Sequence, residues 1–476
     1  MNILYINTHD TGRMIAPYGY DVPTPNLSSL AREGVLFRNC FCANPTCSPS
    51  RVALLTGMAA HSAGMMGLAH RGFAMSNPER HLASLLKAHG YETVLSGIQH
   101  EAHGAENVAA NGYAVSLNGK GKGPVSYASK EEQAKAYMEM DEANAQAVCD
   151  YLEKPKDKPF FLAYGMMSTH LPFPEPADDI EQKYIQPMPG MPDAPETRRD
   201  TAAFHTMVRQ VDKCVGMVMQ ALKDNGLEQD TLVVFTTDHG PAFPFMKCTL
   251  RDSGIGVAMI LRFPEESTHG LCLDHLVSHV DLLPSLFDYL ELPVPEWCEG
   301  RSFLPEIFGK ERRNPAPAAQ GERRKTPGIT PGGREYVFAE LDYRAAYEPT
   351  RCVRTRRYKL IRHYSRYPNH VLPNIDESLS RSFLLERGLR DIIWRQPGQE
   401  ELYDLVFDPA ERENLAAQPE YQDILRELSD ALDHWMEETD DPLLKGEIPR
   451  SLSAQVCRVD GFDADSDFEE GSYDKA

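Results

Sequence analysis

Residues 47–57 read Cys47-Ser48-Pro49-Ser50-Arg51-Val52-Ala53-Leu54-Leu55-Thr56-Gly57. Proline two residues after the cysteine suits the first turn of a helix, where its missing N–H removes no bond. The spacing predicts a helix opening at Pro49, with backbone N–H groups from Ser50 onward free to cradle an anion. Arg51 adds a permanent cation beside them. One cysteine ahead of a helix, taken alone, reads as a buried structural residue. The surrounding chain says otherwise.

Around this stretch, short apolar runs alternate with helical patterns. Ile3–Asn7, Thr93–Ser96, Phe160–Tyr164, Leu232–Thr236 and Val257–Leu261 read as buried parallel strands, each followed by polar loop residues. Met207, Val211, Cys214, Val218 and Leu222 recur at three-to-four spacing and stop at Asn225-Gly226, as a helix should. This alternation predicts an α/β fold, a mostly parallel sheet sandwiched by helices, over residues 1–330. Ligands on such sheets collect at the carboxyl ends of strands, where Asp10, His170 and Asp238 fall.

From Asn314 to Gly333 the chain is rich in Pro, Gly and Arg and reads as a linker. Beyond it, Tyr336–Asp342, Arg351–His363 and Leu402–Val406 read as strands and Tyr421–Glu438 as an amphipathic helix. They predict a smaller C-terminal α+β domain on an antiparallel sheet, residues 331–459. Residues 460–476 are acidic and poor in aliphatics and read as a mobile tail.

Composition narrows the function. Of 476 residues, 42% are apolar and 25% charged, so the chain has ample material for a core. A formal charge of −21 argues against nonspecific binding to nucleic acid or an anionic membrane surface. An acidic protein that meets an anion needs a locally basic pocket; Arg354, Arg356, Arg357, Lys359 and Arg362 are one candidate for it, a solvated strand face the other reading. The chain opens Met1-Asn2-Ile3-Leu4-Tyr5-Ile6 with no basic region ahead of the apolar run, and no later stretch is apolar enough to span a membrane. The ten cysteines lack paired metal spacing. A cytoplasmic location with reduced thiols is expected.

The residues at Cys47, Pro49, Arg51, Leu55, Thr56 and Gly57 resemble the maturation and active-site motif of the type I sulfatases, which have an alkaline-phosphatase-like fold. The resemblance implies that Cys47 is oxidised to formylglycine by a maturase, since a plain thiol is a poor nucleophile toward a sulfate ester. Asn7-Thr8-His9-Asp10 stands where the family carries an Asp-Asp pair, and Thr237-Asp238-His239-Gly240 where it carries Asp followed by Asn or His. Asp10, Asp238, His239 and residue 47 are thereby implied to gather one divalent metal, calcium in most of the family. His9 departs from the pattern. Imidazoles from His9 and His239 with two carboxylates suit manganese or zinc better than calcium, so either His9 is not a ligand or the metal is not calcium.

By the same resemblance His170 is the general acid for the leaving group, Lys247 neutralises a sulfate oxygen, and Arg51 steadies the modified residue. One hydroxyl of the formylglycine hydrate attacks sulfur, and the other then loses its proton to His100 and expels sulfate. Gly97-Ile98-Gln99-His100 matches the second family signature except at Ile98, which replaces a lysine. Met65-Met66-Gly67-Leu68 with His70, Tyr347-Glu348-Pro349-Thr350-Arg351, and Trp435 through Pro442 resemble the heparan N-sulfatase branch. That implies a sulfated sugar substrate, N-sulfoglucosamine in particular, contacts from His70 and Arg351, and a homodimer. Two alternatives remain: a phosphonate or phosphodiester hydrolase of the same superfamily, or a sulfatase-like sugar-binding protein without turnover.

Overall fold

The computed structural model describes residues 1–118, 127–309, 329–330, 333–389 and 399–469. A ten-stranded sheet is built from β1 (Asn2–Thr8), β2 (Val35–Phe41), β3 (Glu92–Gly97), β4 (Val115–Ser116), β5 (Phe160–Gly165), β6 (Thr231–Thr237), β7 (Met259–Arg262), β8 (Leu271–Ser278), β9 (Ile329–Thr330) and β10 (Gly333–Arg334), in the order β4-β3-β5-β1-β6-β7-β2-β8-β10-β9. The block from β4 to β6 is wholly parallel. Its inner strands are buried on both faces, which is why they read as unbroken apolar runs.

Helices cover the faces. α1 (Cys47–Thr56) is buried along its whole length. α2 (Lys130–Leu152) and α3 (Pro195–Asp224) lie together; α3 opens on a proline and buries Met207, Val211, Cys214, Val218 and Leu222. It stops at Asn225, and Gly226 follows at φ +67°, a left-handed turn glycine adopts without penalty. Among the described residues no helix is long and apolar enough to cross a membrane.

Two readings of the sheet need correction. The run expected at Val257–Leu261 is β7, and it is antiparallel to both neighbours, β6 and β2. The link from β6 holds only a one-turn helix, Asp252–Ile255, so the chain turns back instead of crossing over. Strands β2 and β8 went unread because polar Arg38 and Asn39 interrupt one and the first half of the other alternates with exposed residues.

A second, four-stranded antiparallel sheet contains β11 (Val337–Tyr343), β12 (Tyr347–Arg354), β13 (Tyr358–His363) and β14 (Glu400–Asp404). The single strand expected over Arg351–His363 is thus split in two. Thr355 makes the turn: its hydroxyl accepts from the Tyr358 amide at 2.8 Å, the local competition that threonine offers a strand. α4 (Gln422–Glu438) packs Leu428, Leu432, Trp435 and Met436 on Val353, Leu360 and Leu402.

The basic tract is not a pocket. Arg354 pairs with Asp252, Arg357 with Asp404, Lys359 with Asp252 and Glu411, and Arg362 with Glu400 and Asp433, while Arg356 donates to the Asp274 carbonyl. Part of the stretch expected to be a mobile tail is held down: Cys457 bridges both Ala346 and Phe468, and the Arg458 amide donates to the Asp467 carbonyl at 2.9 Å. Residues 470–476 and most of the Asn314–Gly333 linker lie outside the described residues.

Arg351 also changes role. It is completely buried, gives a forked pair of hydrogen bonds to Asp441 at 2.6 and 3.0 Å, donates to Asp342 at 2.8 Å and lies 3.6 Å from Glu340. His61 joins the same cluster through Glu340. The guanidinium is the cation of this acidic knot, tying β11 and β12 to the chain after α4, and has no surface left for a sugar. Arg351→Ala leaves buried carboxylates uncompensated and is expected to cost about 3–5 kcal/mol. Equilibrium unfolding in urea checks the value; a loss below about 1 kcal/mol, the range of an exposed ion pair, would contradict the structural role.

Candidate active site

The parallel register of β1 and β6 runs from Asn2 opposite Thr231 to Thr8 opposite Thr237, so both strands end at one edge of the sheet. Asp10 and Asp238 follow directly. The Asp10 amide donates to Asp238 Oδ1 at 2.8 Å, and the His239 amide donates to the same oxygen at 2.9 Å. Asp10 sits at φ +52°, a left-handed conformation that short polar residues accept more readily than most.

The N-terminus of α1 points at this edge. The helix begins at Cys47, two residues before the expected Pro49, because Thr46 already takes the extended N-cap conformation and proline is tolerated inside the first turn. The Ser50 amide is used, bonding the Thr46 carbonyl at 3.0 Å, so the cradle expected from Ser50 onward falls instead to the amides of Cys47 and Ser48. The Ser50 hydroxyl fastens the helix to the second strand end, donating to the Asp238 carbonyl at 2.6 Å.

Donor atoms of His9, Asp10, Cys47, Asp238 and His239 lie within 4.8 Å of one another, all five residues buried. His239 Nδ1 donates to the Gly240 carbonyl at 2.9 Å, which leaves the Nε2 lone pair facing Cys47 Sγ at 3.5 Å and Asp10 Oδ1 at 3.3 Å. His9 Nδ1 lies 2.8 Å from Asp10 Oδ1 and 3.3 Å from Asp238 Oδ2. Two carboxylates and two imidazoles converging in a dry site form a donor set that fits a divalent cation.

Charge compensation holds the set together. Burial alone would raise Asp10, but Lys247, His239 and His170 outweigh it and keep the carboxyl well below the usual range. The same balance holds for Asp238, with burial opposed by His239, His9 and Arg51. Arg51 Nε and Nη2 reach Asp238 Oδ2 at 3.1 and 3.0 Å, so this arginine grips the Asp238 carboxylate. Burial pushes the Cys47 thiol far up, with Lys247 opposing only in part; an unmodified cysteine here stays protonated and weakly nucleophilic.

Lys247 Nζ bridges Asp10 Oδ2 at 2.8 Å and Asp376 Oδ2 at 3.1 Å, and Asp376 in turn pairs with Arg344. Asp376 and Arg344 were not read from the sequence; isolated charges in loops of the C-terminal part carry no local pattern. Asp141 was missed because one acidic residue inside a largely polar helix, α2, does not stand out. Its carboxylate accepts from the Met167 and Ser168 amides at 2.7 and 2.8 Å and thereby sets the backbone leading to His170.

His170 stands over the cluster, its ring 4.6 Å from that of His9, with Nδ1 donating to the Leu171 carbonyl so that Nε2 is its working atom. Burial and then Lys247 lower its pKa. His100 Nδ1 meets His9 Nε2 at 2.9 Å, and the ring of exposed His70 lies tilted beside it, 6.4 Å between ring centres. Every expected site residue except Arg351 is therefore in this neighbourhood. Ile98 is half-buried at the family's lysine position, its amide bonded to the Gly165 carbonyl at 2.8 Å.

A doubly wound sheet presenting a metal-ready acidic pair beside a buried cysteine at a helix start defines a class of hydrolase, and comparison identifies it. The sulfatase family model matches residues 1–292, and the chain belongs to that family, whose members hydrolyse sulfuric esters. An ulvan-active sulfatase of Formosa agariphila is 28% identical over 487 residues, covering 91% of this chain and 74% of that protein. Human N-sulphoglucosamine sulphohydrolase is 28% identical over 506 residues, covering 95% of this chain and 94% of that one. The solved phosphonate monoester hydrolase of Agrobacterium radiobacter shares the fold, with a TM-score of 0.65 at 20% identity over 94% of this chain and 99% of the other.

Asp376 shares Lys247 with Asp10 and anchors the ammonium beside it. Asp376→Asn removes a charged partner of a buried ammonium, worth about 1.5–3 kcal/mol. kcat is expected to fall about ten- to a hundredfold with folding retained. Steady-state kinetics beside a thermal melt check this; unchanged kcat would remove Asp376 from the site.

Proposed function

We propose that this sulfatase removes a sulfate group from a sugar, the N-sulfate of glucosamine foremost, through a formylglycine made from Cys47. The observation that carries the reading is the buried convergence of Cys47 with Asp10, Asp238 and His239, with Lys247 on Asp10. The 28% identity with the human sulphohydrolase over 95% of this chain supports the sugar class.

When present, the aldehyde supplies a hydrated nucleophile at residue 47 and a divalent metal held by Asp10, Asp238, His239 and residue 47 supplies charge that favours its ionised form. The chain does the rest. The Cys47 and Ser48 amides and Lys247 offer donors where negative charge grows on the sulfate oxygens. His170 Nε2 delivers a proton to the departing amine or alcohol. With Nδ1–H given to the Leu171 carbonyl, that proton comes from the imidazolium; burial and Lys247 disfavour this form, so the acid step is expected to weaken as pH rises through the lowered pKa. Closure of the site by buried side chains excludes water from the charges it uses.

Ile98 favours a second reading. Replacing a cation by an aliphatic side chain weakens the hold on a sulfate and suits a phosphonate or phosphodiester, on a fold that also serves a phosphonate monoester hydrolase. A protein co-produced with a maturase separates the possibilities. Mass spectrometry of the peptide spanning Cys47 is expected to show aldehyde in place of thiol, and N-sulfoglucosamine to release sulfate. Cys47→Ala is expected to lower kcat by about 10³ or more. Turnover of a phosphodiester alone would select the second reading; sugar binding with no turnover of any substrate, in protein shown to carry the aldehyde, would refute both.

A further inference from the structure

The geometry points to His9 as an imidazole ligand and to a borderline transition dication, of the manganese or zinc class, in place of calcium, with His100 as its positioning residue. This rests on the metal assigned to the site above and goes on to name its kind. The structure turns His9 into the cluster: Nδ1 is 2.8 Å from the Asp10 carboxylate and 3.3 Å from that of Asp238.

The second ring nitrogen permits Nδ1 to act as a ligand. His9 Nε2 meets His100 Nδ1 at 2.9 Å, and one hydrogen must lie between them. For Nδ1 to offer its lone pair to a cation, Nε2 carries that hydrogen and His100 Nδ1 accepts it. His100 then bears its own proton on Nε2. Both rings are neutral in this arrangement. His100 itself sits at φ +55°, a conformation a histidine adopts only when its surroundings hold it there. An outer partner that fixes tautomer and ring orientation is the usual support for a ligating imidazole. In this role the Nδ1 of His100 is already committed to His9 and is not a base for residue 47.

His239 offers a second imidazole through Nε2, its Nδ1 being held by the Gly240 carbonyl at 2.9 Å. Calcium takes six to eight hard oxygen ligands, whereas nitrogen donors suit the borderline transition ions. Among the described residues the cluster holds two carboxylates, Asp10 and Asp238, and each already carries a cationic side chain, Lys247 or Arg51. Two nitrogens and two partly neutralised carboxylates make a poor calcium site.

The test is metal binding by the full chain, stripped with a chelator and titrated calorimetrically with Mn²⁺ and with Ca²⁺, in the native protein and in Cys47→Ser, which removes the soft thiol from the comparison. Mn²⁺ is expected to bind at least about tenfold more tightly than Ca²⁺ in both. Electron spin echo spectroscopy of bound Mn²⁺ should show nitrogen coupling from two imidazoles. His9→Asp is expected to remove one coupling and shift the preference toward Ca²⁺ by about tenfold or more. His100→Ala is expected to weaken Mn²⁺ about ten- to a hundredfold while leaving both nitrogens coupled. Tighter Ca²⁺ binding by the native chain, or coupling from a single imidazole, overturns the inference even if His9→Asp fails to fold. Neither readout needs turnover, so absence of sulfate release would count against the sugar sulfatase reading and leave the metal result standing.

Discussion

The residue-by-residue parallel pairing of β1 with β6 is the constraint from which the site follows. Two adjacent parallel strands must end at the same edge, so the residues just beyond them cannot avoid each other. Here those residues are Asp10 and Asp238, and a backbone amide of one is spent on the carboxylate of the other at 2.8 Å. Like charges pressed together in a buried place are unfavourable unless cations meet them. Arg51, Lys247 and the neighbouring histidines meet that need, and a metal would meet it further.

Those compensating groups come from distant parts of the chain and arrive on different elements. Arg51 rides on α1 four residues after Cys47, so the helix that presents the cysteine also binds Asp238. Lys247 comes from the link between β6 and β7 and is shared with Asp376 of the C-terminal part, which Arg344 holds in turn. The alternation Asp10, Lys247, Asp376, Arg344 explains how a chain of net charge −21 builds a place for an anion. Local alternation of sign, and not a broad basic patch, does it. The arginine-rich tract of the second sheet is neutralised strand by strand and plays no part.

Much of the fold could be read because buried parallel strands are continuous apolar runs and α3 has a clean periodicity with a glycine stop. The misreadings have physical causes. Nothing in the apolar run of β7 tells its direction, which depends on how far the preceding link can carry the chain. The turn at Thr355 hides in a stretch whose composition suits a strand throughout. Arg351 resembled a substrate contact in its motif, yet burial among Asp342, Glu340 and Asp441 makes it a structural ion.

The amino-acid sequence by itself determined the cysteine motif, the two Asp-His pairs at strand ends and the alternation that demands a parallel sheet, since each of these is a local pattern a few residues long. Only the tertiary structure decided which charges answer them. Asp376, Arg344 and Asp141 act across separations too long for any local pattern, and the His100 ring that meets His9 is placed by another turn of the chain. Long-range electrostatics in a buried site is a property of position, and position exists only once the chain has folded.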